Sequence, residues 1–412
     1  MDVSRRNLLR GALAGSVGTA VAGGMLVAGA RVDADAAASG TPAAPAQVPF
    51  HGVHQAGILT PEPQQRYSTH AAFDVTAASK PGLTELLATI TDRARFLTGG
   101  GTPPDLGVGS PPSDSDILGP VVPADGLTVT LSAGSTLFDD RFGLAASKPR
   151  RLTLMRTFPN DALETAWCHG DLMLQLCANN PDTVHHALRD ITKHTRGAMQ
   201  ARFRMDGFVS PPRPSGTPRN LLGFKDGISQ PEGTQLQHLN WVTASSDEPA
   251  WAVGGSYHVV RLIRMLIEFW DRVSINEQQN MFGRFRDSGA TLDSSTGNEF
   301  TAPDYGADPQ GNVIPLDSHI RLANPRTKAA DPSRIYRRPY NYDLGFDENG
   351  NVQCGLVFVC FQQDVHKQFE AVQTRLIDEP LTDYIQPFGG GYYFALPGVQ
   401  NTSDYYGRAL LA

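Results

Sequence analysis

The spacing of apolar and polar residues divides the chain into two stretches with one rhythm. In the first, 70–77 reads as a strand, 80–97 as a helix, 127–133 as an alternating strand and 171–178 as a largely apolar strand. Residues 181–195 follow as a helix opened by an Asn-Pro-Asp cap signal, and 199–209 alternates again. In the second, 257–268 is a strand, 274–283 a helix and 355–362 an apolar strand. Residues 364–377 form an amphipathic helix with Val365, Phe369, Val372 and Leu376 on one face, and 391–396 is a closing strand. Strand, helix, strand, strand, helix, strand, twice over, is the ferredoxin-like pattern. It predicts an α+β protein of two ferredoxin-like domains, each an antiparallel sheet with helices on one face. Gly, Pro and Ser crowd 99–125 and 211–218, and the second of these places the domain bounds at 49–215 and 216–412.

The first residues read differently. Ser4-Arg5-Arg6 precedes a stretch rich in Ala, Gly, Val and Leu over 11–30, and a small-x-small end closes near Ala36. That is a signal peptide over 1–36, and the paired arginines point to the twin-arginine route, with 37–48 as linker. A retained membrane anchor is the weaker reading, because Gly, Ser and Thr dilute the apolar run. The expected location is the periplasm, cell envelope or exterior, with no stable transmembrane span after cleavage. Folded export raises the expectation of an inserted cofactor. The C-terminus carries no long tail, which argues against packaging inside a protein shell.

Composition narrows the chemistry. Lys plus Arg total 35 against 42 Asp plus Glu, a formal net charge of −7, so nucleic acid is an unlikely partner. The cysteines Cys168, Cys177, Cys354 and Cys360 form no CxxC pair, which argues against a thiolate zinc site. Cys354 and Cys360 stand too far apart on one strand for a disulfide, Cys168 and Cys177 could pair only across a turn, and all four read as small buried apolar residues. There is no G-x-S-x-G elbow, Walker loop or dinucleotide fingerprint.

Three polar clusters remain in the second half. In residues 221–231, Gly223 and Gly227 bracket one carboxylate, Asp226, close to main-chain amides; a capped surface turn reads the same way. In 318–326, His319 sits beside Ile320 and Leu322. A lone histidine cannot hold zinc, but it can hold one axial position of a haem iron, with Arg326 pairing a haem carboxylate. In 334–342, dense Arg and Tyr read as a solvated face, or functionally as a guanidinium that stabilises developing negative charge near a metal-bound oxidant. His51 and His54 lack a third ligand, and His185 and His186 point to adjacent helix faces.

These clusters, in this order, resemble the dye-decolorising peroxidases, most closely the exported deferrochelatase/peroxidase branch. The match adds residues 49–58, His169-Gly170-Asp171-Leu172, residues 254–257 and residues 389–397, and covers nearly the whole mature chain. The resemblance implies one haem b per chain, seated in or next to the C-terminal domain. His319 would be the proximal iron ligand, Asp226 the distal carboxylate and Arg337 the distal arginine. Gly227, Ile228, Ser229, Asn324, Pro325 and Arg326 would line the haem. Relatives often carry Thr-Ala where this chain has Ile228-Ser229, and Gly where it has Pro339, changes that bear on pocket shape.

The implied activity is reduction of hydrogen peroxide with oxidation of dyes, phenols or other one-electron donors. Asp226 would shuttle the peroxide proton and Arg337 would stabilise charge as the O–O bond breaks. An aspartate base, reference pKa ~3.9 against ~6.5 for histidine, predicts an acidic optimum. Leu356 and Phe358 are candidates for a dry wall, Asp364 for the acceptor behind His319, and Trp241, Trp251, Trp270 and the tyrosines near Arg337 for electron relay, with plain packing as the alternative for each aromatic. Competing readings are a deferrochelatase that takes iron from haem and leaves the porphyrin intact, and a non-catalytic haem carrier. An iron-uptake system and self-association stand open as partners.

Overall fold

The computed structural model describes residues 47–412; the expected signal peptide and all but two residues of the expected linker lie outside the described residues. Helices α1 (Lys80–Gly99), α2 (Pro181–His194), α3 (Gly233–Asn240), α4 (Ile267–Trp270), α5 (Ile275–Phe282), α6 (His319–Ala323), α7 (Ala371–Arg375) and α8 (Arg408–Leu411) accompany nine strands. These are β1 (Tyr67–Val75), β2 (Thr128–Gly134), β3 (Leu172–Ala178), β4 (Met199–Phe208), β5 (Ser256–Met265), β6 (Tyr336–Arg337), β7 (Tyr340–Phe346), β8 (Val352–Gln362) and β9 (Ile385–Ala395).

The first four strands run in the order β4-β1-β3-β2, and the later ones in the order β9-β5-β8 with β6 and β7 both on the far edge of β8. Every one of these strand pairs is antiparallel. Both sets show the ferredoxin-like strand order, as the repeated rhythm predicts. The sheets join at both edges. Ser132–Gly134 of β2 pair with Tyr393–Ala395 of β9, and Phe208 of β4 pairs with Asn341 of β7. The strands thus close into a ring, and a closed ring leaves few unpaired edges.

Period-two alternation decides what each face does. Val260 and Leu262 of β5 and Val357, Val359 and Phe361 of β8 point into the ring, where they meet Ala72, Met173 and Met205. Their neighbours point outward. On the first sheet, Phe73, Leu174 and Leu176 receive the apolar face of α1 (Leu83, Leu86, Leu87, Ile90, Ala94, Leu97) and Val184, Ala187 and Ile191 of α2. Ser79 caps α1 by accepting the Gly82 amide. The cap of α2 differs from expectation. The Asn180 side chain makes no cap bond; Asp125, from the loop before β2, accepts the Asn180 amide and the Thr183 hydroxyl instead.

The second half departs from the sequence reading in three places. Residues 266–268 leave the strand, and α4 begins there. The expected helix at 364–377 is wound as a π-turn over His366–Glu370 before α7. The Arg/Tyr segment is not a solvated face. It supplies β6 and β7, and Tyr336, Arg338, Tyr340 and Tyr342 are all buried. The four cysteines are free and buried, as expected, and burial pushes the Cys177 thiol up to about 11. Among the described residues, no helix is long and apolar enough to cross a membrane.

Candidate functional site

The outward face of the second sheet floors a largely apolar cavity. Alternation sends Arg261, Ile263 and Met265 of β5 and Leu356 and Phe358 of β8 to it, with Arg261 facing Phe358 and Ile263 facing Leu356 in register. Phe282 of α5, Ile320 of α6 and Phe369 and Val372 of the π-turn and α7 cover it. Asp226, Gly227, Ile228, Ser229, His319, Asn324, Arg326 and Arg337 all border this one cavity. Pro325 is not among its lining residues.

Asp226 is presented by a tight hairpin. The Asn220 amide donates to Phe224 O, the Asp226 amide to Pro218 O, and Arg219 bridges Lys225. Gly223 and Gly227 both take positive φ, +89° and +91°, which an L side chain resists. The carboxylate folds back so that Oδ1 accepts the Gly227 amide at 2.7 Å. Arg337 Nη1 reaches the same oxygen at 3.3 Å. Arg337 stands on β6 opposite Cys360, and the strand period turns Tyr336 into the ring and Arg337 to the cavity. Gln230 holds that short strand: its side-chain amide donates to Arg337 O at 2.6 Å and accepts the Arg337 amide at 3.1 Å. The side chain thereby copies a β-ladder partner.

His319 opens α6. Its Nδ1 lies 2.7 Å from Oε2 of Glu379, whose side chain is buried. Burial pulls the imidazole pKa down, but the charge and hydrogen bond of Glu379 outweigh it, and the net shift is upward. The other ring nitrogen, Nε2, has no hydrogen-bond partner among the described residues. Arg375 fixes the helix from behind, donating to Leu322 O and Ala323 O. Asp364, the expected acceptor, is elsewhere: it pairs with Arg151 at 2.8 Å. Glu379, Gln230 and Arg375 carried no local signal in the sequence, since each acts on partners 52 to 107 residues away.

The cavity is also strongly cationic. Arg284, Arg326, Arg334 and Arg337 border it. Burial, then the like charges of Arg326 and Arg337, pull the Arg284 guanidinium down to about 10. The Tyr305 hydroxyl, beside these cations, is buried without a partner among the described residues, and burial pushes it up to about 12. A Cβ built on Gly227 would meet nothing within 4 Å, so the space beside Asp226 is open.

Apolar walls, one unpaired imidazole nitrogen, surplus guanidinium groups and an orphaned buried hydroxyl are what a flat, dianionic macrocycle with its own four equatorial nitrogens requires. Among the described residues no group of three metal-ligating side chains competes with this reading. The aromatic candidates are packed and bonded. Trp241 stacks on His54 at 3.7 Å, Trp251 donates to Ser147 O, and Trp270 donates to Leu222 O.

Fold and cavity define a porphyrin-binding protein with an acid–guanidinium pair in the same pocket. Comparison with known proteins makes this specific. Residues 55–209 match the family described as Dyp-type peroxidase, N-terminal, and residues 217–400 match Dyp-type peroxidase, C-terminal. The chain belongs to the Dyp-type peroxidase family, and is a haem peroxidase acting on hydrogen peroxide and a reductant. A protein named deferrochelatase from Escherichia coli (strain K12) is 50% identical over 421 residues, covering 100% of this chain and 97% of its own. Its namesake from Shigella flexneri is 49% identical over 420 residues, with the same coverage. Among solved structures, a DyP-type peroxidase from Cellulomonas bogoriensis superposes with a TM-score of 0.79 at 33% identity, covering 89% of this chain and 98% of that one. Ferric DtpA from Streptomyces lividans gives 0.79 and 33%, covering 89% and 97%.

Proposed function

We propose that this peroxidase holds haem through His319 and handles the peroxide proton with Asp226, steadied by Arg337. Bound haem would supply the redox-active iron needed to reduce hydrogen peroxide to water at the expense of two one-electron donors. His319 Nε2 would be its single protein ligand, with Glu379 fixing the tautomer at Nδ1 and raising the basicity of the ring. Arg326, Arg334 and Tyr305 would meet its carboxylates. Asp226 takes a proton from the near peroxide oxygen and delivers it to the departing one, a transfer worth about 10²–10⁴-fold in rate. Arg337 Nη1 holds the carboxylate in place and supports the negative charge that grows as the O–O bond breaks. The apolar floor of Ile263, Leu356 and Phe358 keeps competing water away.

The observation that carries this reading is the Asp226–Arg337 contact bordering the same cavity as the unpaired His319 nitrogen. Haem reconstitution followed by peroxide tests it. The wild type gives a Soret band that changes on adding peroxide. His319→Ala abolishes the native band, and Asp226→Asn keeps the band but slows the peroxide reaction by about 10²-fold or more. A wild-type rate in Asp226→Asn rejects the proton role, and a slow peroxide reaction in the wild type that neither Asp226→Ala nor Arg337→Ala lowers further favours a haem carrier.

The names of the relatives support a second use of the same pocket, exchange of the haem iron for two protons with the porphyrin left intact. Metal-free porphyrin fluorescence after incubation with haem, without peroxide, separates the two uses. The paired arginines at Arg5 and Arg6 and the apolar run behind them support export by the twin-arginine route to the cell envelope.

A further inference from the structure

The residue before Asp226 is in an unusual setting. Lys225 Nζ forms an ion pair with Glu299, and each side chain is only 5% exposed. The pair lies against the cavity, which Lys225 helps to line. Glu299 comes from the irregular stretch between α5 and α6, and its two oxygens do different jobs. Oε2 takes Lys225, while Oε1 accepts both the Thr217 amide and the Thr217 hydroxyl at 2.6 Å. Thr217 and Lys225 stand on the two arms of the hairpin that presents Asp226, so one carboxylate grips both arms. Lys225 also donates to Ser215 O at 2.8 Å.

The surrounding backbone is shaped to admit the pair. Gly216 has φ +78°, and a Cβ there would fall 2.3 Å from Glu299 Oε1. Gly289 has φ +75°, and a Cβ there would fall 2.8 Å from Lys225 Cδ. Arg284, itself on the cavity wall, donates to the main-chain oxygens of both Glu299 and Gly289, at 3.0 and 2.6 Å.

A buried ion pair adds little net stability, because desolvation offsets most of the attraction. Its use is geometric. We infer that Glu299, acting through Lys225 and Thr217, is a positioning residue that sets where the Asp226 carboxylate stands over the cavity. The inference rests on the proton role of Asp226 proposed above. It requires that Glu299 matter to the peroxide reaction only while Asp226 is present.

The test is a double-mutant cycle on haem-loaded protein, with haem retention followed by transfer to apomyoglobin and cyanide affinity measured on the ferric form. Glu299→Gln should retain haem like the wild type, change the cyanide affinity, and slow the peroxide reaction about tenfold or more. In the Asp226→Asn background the same change should have no further effect on the rate. A wild-type rate in Glu299→Gln overturns the inference, as does an equal further loss on top of Asp226→Asn, or a rate loss matched by haem loss. If Glu299→Gln does not fold, Lys225→Met with Glu299→Leu removes both charges together. That protein should fold, keep haem and react slowly; a wild-type rate in it overturns the positioning role. Failure of the underlying reading appears separately, as a wild-type rate in Asp226→Asn alone.

Discussion

The proximal side turns on one contact. A buried carboxylate on the far nitrogen of a metal-binding imidazole fixes the tautomer and makes the ring a stronger donor, and removing it costs about 10–100-fold in affinity or activity. On the proposal that His319 holds the iron, Glu379, 2.7 Å from its Nδ1, would be in that place. Glu379→Gln keeps the hydrogen-bonding shape and removes the charge, so it should speed haem transfer to apomyoglobin about tenfold. It should also move the reduction potential upward, measured by spectroelectrochemistry; unchanged values for both would remove Glu379 from the mechanism. The sequence exposed His319 because its cluster is compact, and it exposed Asp226 because two glycines bracket it. It could not expose Glu379, which reaches His319 across 60 residues and follows no helical spacing. Asp364, the acceptor expected from the sequence, has its charge already taken by Arg151.

Strands and helices were legible wherever apolar periodicity ran for several residues. The first sheet, α1, α2, β5 and β8 fall close to where the pattern puts them, while β9 begins at Ile385, six residues before the expected start. The strands β6 and β7 were hidden because their inward positions carry tyrosines, with Arg338 buried between the two strands, not aliphatic residues. A ring interior that accepts phenols and a guanidinium defeats a reading based on apolar alternation. Close backbone approach is a second feature that a one-dimensional pattern conceals. Where β9 meets β5, Gly390 has φ +117°, and a Cβ there would lie 2.0 Å from Val260 O. Gly390→Ala must push the two strands apart and strain the backbone, so it should destabilise the protein by about 1–3 kcal/mol, read from the midpoint of chemical denaturation. Because Ile263 and Met265 of the same strand floor the cavity, the variant should also weaken haem binding.

At the scale of the whole molecule, the ring that supports the site buries two histidines among its apolar residues, and these set an acid limit. His70 on β1 is fully buried; burial pulls its pKa down to about 4, although the Gln175 hydrogen bond and Asp206 pull the other way. His258 on β5, bonded to Ser132, is also held well below the ordinary histidine value, by burial and then by His70. The folded protein therefore keeps these rings neutral, while the unfolded chain protonates them near pH ~6.5. Between that pH and about 4 the unfolded state binds more protons, so the stability contributed by His70 is complete above the upper bound and drains away as pH falls through the window. For His70 alone the loss is on the order of 3 kcal/mol. The acidic optimum expected of the proton role proposed for the aspartate would set chemistry and scaffold against each other. The activity optimum should fall where rising turnover meets falling stability, and a stabilised ring should move it downward. Thermal midpoints from pH 7.5 to 4.5 should fall less steeply for His70→Gln than for the wild type, and the optimum of His70→Gln should shift to lower pH. Parallel melting curves would place the acid limit in other groups.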